Sequence, residues 1–123
     1  MRFDKFTIKS QEAVQAAQTI ASRNGNQELM PEHLLSAMLE DSEGVATQVL
    51  EKLGADVGSI RQELERELDR LPKVTGSAPM GQDSIGQVYA SSGLQQALRV
   101  AEEEAGRLGD EYVSVEHLLL GVL

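Results

Sequence analysis

The sequence predicts an all-α fold: a pseudo-twofold duplication of a four-helix repeat, with the second repeat truncated at the C-terminus. Three observations predict it. First, Glu32-His33-Leu34-Leu35 recurs as Glu116-His117-Leu118-Leu119, 84 residues later. The offset holds without a gap: residues 7–39 laid on 91–123 are identical at 11 of 33 positions, which marks an internal repeat. Second, aromatic residues make up only 3% of the chain against 41% hydrophobic residues overall. The core must then come from Leu, Val, Ile, Ala and Met, which favours helices over a β-sandwich. Third, apolar residues recur at helical spacing between capping and stop signals.

The elements follow in order. Thr7 caps a helix from Ile8 to about Asn24, whose buried face carries Val14, Ala17, Ile20 and Ala21. Ala13, Ala17 and Ala21 form an every-fourth stripe that lets another helix approach closely. Gly25 stops this helix, being free to adopt positive φ. Pro31 starts a second helix, where its missing N–H costs nothing, and Glu32 in the first turn complements the helix dipole. Its apolar face is Leu34, Leu35, Met38 and Leu39. Asp41 or Ser42 opens a third helix with Val45, Val49, Leu50 and Leu53 inward, ended by Gly54. Asp56 or Ser59 opens a fourth with Ile60, Leu64, Leu68 and Leu71 inward; Ser59 and Gln62 have capping-box spacing. The charged residues between Glu63 and Arg70 form its solvated face. Pro72 ends it.

Residues 72–86 are rich in Gly, Pro and Ser and read as a mobile linker. The domain reading is therefore one unit, 1–123, with repeat 1 at about 1–71, the linker at 72–86 and a partial repeat 2 at about 87–123. In repeat 2, Ser91 or Ser92 caps a helix carrying Leu94, Ala97, Leu98, Ala101, Ala105 and Leu108, and Ser92 and Gln95 again have capping-box spacing. Glu102, Glu103 and Glu104 form a solvated face. Gly109 stops this helix, and Ser114 caps a last one. Counterparts of the third and fourth helices would lie beyond Leu123, so the chain is expected to be a fragment of a longer protein. A melting point unchanged by extending it would contradict that expectation.

Composition narrows the function. The net charge is −9, so nucleic acid and anionic membrane surfaces are poor partners. There is no cysteine, hence no thiol nucleophile and no disulfide framework. No apolar run is long enough to span a membrane and no leader is evident; a cytoplasmic location is expected. No Walker-type phosphate loop and no Gly-x-Ser-x-Gly elbow occurs. Two histidines without cysteine make a dedicated metal site a poor reading. His33 and His117 are read as structural, near the first turns of their helices. A hydrolase using Glu32 or Glu116 as acid/base is the weakest of the readings.

A duplicated helical unit does create a seam. Such grooves hold extended or helical peptides between apolar walls and a polar rim. The candidate walls are Leu94 and Leu98, with core packing as the competing role. The candidate rim is Thr7, Asp110 and Glu116, where a helix cap and a turn residue are the competing roles for the first two.

Four stretches carry a resemblance: Phe6-Thr7-x-x-x-x-Glu12-Ala13, the two Glu-His-Leu-Leu helices, Leu50-Glu51-Lys52-Leu53-Gly54-Ala55-Asp56, and Leu71-Pro72-Lys73-Val74-x-Gly76. Their order and spacing resemble the N-terminal domain of the Clp family of AAA+ unfoldases, most of all its ClpB disaggregase branch, over the whole chain. The resemblance implies two four-helix repeats joined flexibly to an ATPase ring, a hexamer, that lies outside this chain. It implies a stress-response chaperone module, not itself an enzyme, that captures unfolded or aggregated polypeptide and passes it to the ring. It implies no cofactor here, with ATP and Mg bound by the ATPase domains. It assigns the polar substrate patch to Thr7, Asp110 and Glu116, and the apolar groove to Leu94 and Leu98. The alternative is an adaptor-docking domain of a proteolytic unfoldase of the ClpA or ClpC type.

Overall fold

The computed structural model describes residues 5–41, 44–73 and 89–122. The elements run α1 (Ile8–Arg23), β1 (Glu28–Leu29), α2 (Pro31–Leu39), α3 (Val45–Lys52), α4 (Val57–Asp69), β2 (Tyr89–Ala90), α5 (Ser92–Arg107) and α6 (Val115–Val122). The fold is predominantly helical. α1 packs on α2, and α5 on α6; α2 and α6 also touch each other and share the centre, with α4 against α2 and α3 against both. Leu34, Leu39, Leu94 and Leu118 are wholly buried there. Ala17, Ala21 and Ala101 are as deeply buried, so the helices approach over small side chains.

The helix ends obey local chemistry. Thr7 Oγ1 accepts the Ser10 N–H at 3.2 Å, and Ser91 Oγ accepts the Leu94 N–H at 3.0 Å. Gly25 and Gly109 follow the ends of α1 and α5 at φ 76° and 77°, the left-handed conformation that suits glycine. These pairs repeat the 84-residue offset of the sequence. So does a third: Gln11 Nε2–H donates to the Phe6 carbonyl at 3.0 Å, and Gln95 Nε2–H to that of Ala90 at 3.1 Å.

Several expectations need correction. α3 begins at Val45, with Gly44 at the cap, not at Asp41 or Ser42; Ser42 lies outside the described residues. Its inward face is Ala46, Thr47 and Leu50, with Val49 partly buried against the core as expected, whereas Val45 is exposed and Leu53, past the last turn, is 72% exposed. Thr47 turns inward because its Oγ1 donates to the Asp41 carbonyl at 2.9 Å. The capping residue of α4 is Asp56, which takes both the N–H and the hydroxyl of Ser59, so Ser59 is not the cap. Ser91, not Ser92, caps α5. Leu108 is exposed because it follows the last turn of α5. Of the proposed linker, residues 74–86 lie outside the described residues.

Periodicity did not predict the short parallel pairing of β1 with β2, in which Leu29 faces Ala90. A second parallel bridge joins Phe6 to Val113. Positions 6 and 90 are offset partners, as are 29 and 113. Each extended segment before a repeat's first helix therefore pairs with the segment before the other repeat's second helix.

Candidate functional site

Thr7 lies at the second of these bridges. Its N–H donates to the Val113 carbonyl at 3.0 Å, and the Val113 N–H donates to the Lys5 carbonyl at 2.7 Å. Thr7 Oγ1–H donates to Ser10 Oγ at 3.0 Å, and the wholly buried Ser10 hydroxyl donates to the same Val113 carbonyl at 2.8 Å. Two donors from the start of α1 thus converge on one acceptor in the segment that carries Asp110 and Glu116. Thr7 is half-buried and Glu116 is exposed.

Asp110 is held by a histidine. The Ser114 N–H donates to His117 Nδ1 at 2.9 Å, and His117 Nε2 lies 3.0 Å from Asp110 Oδ2. A backbone N–H can only donate, so Nδ1 is bare and the proton sits on Nε2, which donates to the carboxylate. His117 here does what Glu or Gln does in a capping box, reaching back to the backbone N–H before the helix. The first repeat has the same arrangement with two changes, Asn26 for Asp110 and Met30 for Ser114, whose hydroxyl also lies 3.0 Å from His117 Nδ1. The Met30 N–H donates to His33 Nδ1 at 2.9 Å, and His33 Nε2–H donates to Asn26 Oδ1 at 2.9 Å. Asn26 Nδ2–H then donates to the Pro72 carbonyl at 3.1 Å. Burial pushes the His33 imidazole below its usual value.

Asp110, Glu111 and Glu116 line a hollow of about 390 Å³, together with the exposed Leu108, Tyr112 and Leu120. No Lys or Arg lines it among the described residues, so its potential is negative. Glu32, the counterpart of Glu116, is half-buried, and its Oε1 has no partner among the described residues.

The two leucines lie inward. Leu94 is 2% exposed and Leu98 is 3% exposed. Leu94 therefore offers no surface to a bound chain. Leu98 reaches only the floor of a shallow depression of about 510 Å³, beside Ala90, Gln95, Arg99 and Glu102. A further cleft of about 410 Å³ lies between α1, α2 and α4, with Arg23, Glu40, Arg61 and Glu65 on it; nothing in the sequence singled it out. Among the described residues no cluster of His, Cys, Asp and Glu could hold a metal ion, and no helix is long and apolar enough to cross a membrane.

What sequence reasoning missed is the role of His117 beside Asp110. The signal was present: Asn26 and His33, and Asp110 and His117, share a seven-residue spacing.

Residues 5–123 match the Clp repeat (R) N-terminal domain family. The chain belongs to that family. Curated relatives include the chaperone protein ClpB of Bacillus cereus, 39% identical over 120 residues, and that of Brucella suis, 40% identical over 119 residues. These alignments cover 98% and 97% of this chain, and the Clp repeat domain spans 13% of the length of either relative. Among solved structures, the N-terminal domain of the ClpV1 ATPase of Escherichia coli superposes with a TM-score of 0.81 at 23% identity, covering 98% of this chain and 68% of that one. The Hsp104 N-terminal domain of Candida albicans superposes with a TM-score of 0.80 at 20% identity, covering 96% and 73%. These likenesses establish the helical fold; the relatives' names set the chaperone context.

Proposed function

We propose that this Clp repeat domain is the non-catalytic substrate-binding module of an ATP-dependent disaggregase. It captures unfolded or aggregated polypeptide and passes it to a hexameric AAA+ ring in the same protein. Its polar rim is Thr7, Asp110 and Glu116. The observation that carries this reading is the bond from Thr7 to Val113, which brings Thr7 to the segment bearing both acidic residues. Apolar contact comes from the depression floored by Leu98, with Leu94 acting through packing. Among the described residues no Lys or Arg lines the hollow beside the rim, which supports a preference for clients with basic flanks. Weak binding suits a module that must release its client, since about 1.4 kcal/mol changes affinity tenfold. ATP and Mg belong to the ring, and the cytoplasm is the compartment such a chaperone serves.

The test is titration with fluorescein-labelled casein. Asp110→Ala and Glu116→Ala are expected to weaken binding while the circular dichroism spectrum stays unchanged. Unchanged affinity in both, and in Thr7→Ala as well, removes the polar rim. Saturable binding of a folded adaptor with no binding of casein would favour instead the docking domain of a proteolytic unfoldase.

A further inference from the structure

We propose that His117 is a positioning residue for the polar rim: its imidazole clamps the Asp110 carboxylate in the orientation that meets a client. This rests on the rim reading above, and three observations carry it.

The first is the geometry. His117 is buried and cannot turn, because its Nδ1 is taken by the Ser114 N–H at 2.9 Å. Its Nε2–H has one direction to donate, and Asp110 Oδ2 is there at 3.0 Å. Asp110 is itself half-exposed, and a half-exposed carboxylate left alone samples several rotamers. One fixed donor removes that freedom before any client arrives, so less entropy is lost on binding.

The second is the contrast between the repeats. His33 makes the same bond to Asn26. There the partner is neutral, buried, and sealed by its second bond to Pro72. The fold therefore needs only an acceptor at this position, which an amide supplies. In the second repeat the acceptor is charged and open to solvent. Asp110 Oδ2 is held by the protein, and the side chain stays half open to solvent.

The third is the setting. Glu111 and Glu116 face the same hollow. A mobile Asp110 would swing away from these like charges. The clamp keeps three carboxylates near one another, and that concentrates negative potential where a Lys or Arg side chain of a client would sit.

The experiment is a double-mutant cycle on the full chain, with fluorescein-labelled casein as probe and thermal melts as the check on folding. Asp110→Ala weakens casein binding. His117→Leu weakens it by about two- to tenfold, the cost of fixing one otherwise free side chain on binding. In the Asp110→Ala background, His117→Leu produces no further loss. His33→Leu lowers the melting point without a comparable change in casein affinity of the folded fraction. If His117→Leu weakens binding equally in both backgrounds, the histidine acts through the fold and the clamp is refuted, with the rim intact. If Asp110→Ala alone leaves casein binding unchanged, the clamp is refuted, and the rim falls with it only if Glu116→Ala and Thr7→Ala are unchanged too. Should His117→Leu not fold, a long-range proton–nitrogen spectrum of the unmodified chain decides. A slowly exchanging Nε2–H on His117 that is lost in Asp110→Ala supports the clamp, and a rapidly exchanging one overturns it.

Discussion

The backbone N–H of Thr7 donates to the carbonyl of Val113 at 3.0 Å. This bond ties the first helix cap of the chain to the segment before its last helix. Thr7 consequently has two roles, as a cap whose hydroxyl accepts the Ser10 N–H and as a member of the proposed rim. Substitution must disturb both. Thr7→Ala is expected to cost about 0.5–2 kcal/mol of stability, as lost N-caps do. Thr7→Ser keeps the hydroxyl and should keep both stability and casein affinity. Urea denaturation beside casein titration checks this, and a fully stable Thr7→Ala would contradict the cap.

Leu94→Ala and Leu98→Ala act on the core. Both side chains are almost completely buried, so each truncation should destabilise the domain by about 2–5 kcal/mol. The urea midpoint is the measurement. A large loss of casein affinity with an unchanged midpoint would show instead that these side chains open toward the client.

Gly121 permits the contact between α6 and α5. A Cβ built there would lie 2.2 Å from the Ala97 carbonyl oxygen and 3.1 Å from its carbon. That obstacle is backbone and cannot rotate away. Gly121→Ala is expected to cost about 1–3 kcal/mol through forced separation of the two helices. A midpoint equal to that of the unsubstituted chain would disprove the close approach. The matching position in the first repeat is Ala37, so the two helix pairs are not packed identically.

His33 gives stability a pH dependence of definite sign. Burial lowers its pKa from the usual 6.5 or so. Between the native value and the unfolded one, the unfolded chain binds more protons, so stability rises with pH in that window. The His33 contribution is complete above about pH 6.5 and declines as pH falls below it. Denaturation midpoints at pH 7.5 and 5.5 should therefore differ more in the unsubstituted chain than in His33→Gln. Glutamine suits this position because it accepts the Met30 N–H as a capping-box residue does. Equal differences in the two proteins would rule out the effect.

What the sequence made legible of the candidate site is a set of positions, not their role. Thr7, Asp110 and Glu116 were named there, and Thr7 does meet the segment carrying the other two. His117 was read as structural, which describes its bond to the Ser114 N–H but omits its bond to Asp110. That second bond depends on how the turn after Gly109 folds back on α6, and no pattern of hydrophobicity reports it. Leu94 and Leu98 were ambiguous because an apolar residue on a helix face reads alike whether a neighbouring helix or a client covers it.

The sequence by itself determined the succession of helices, the Thr7 cap, the three left-handed glycine stops at Gly25, Gly54 and Gly109 and the 84-residue recurrence. These depend on contacts within three or four residues, where chain geometry leaves few choices. Only the tertiary structure decided the crossed pairing of Phe6 with Val113 and Leu29 with Ala90 and the inward packing of Leu94. The reason is physical: each is set by partners far away in sequence, and two-residue strands are too short to leave a period.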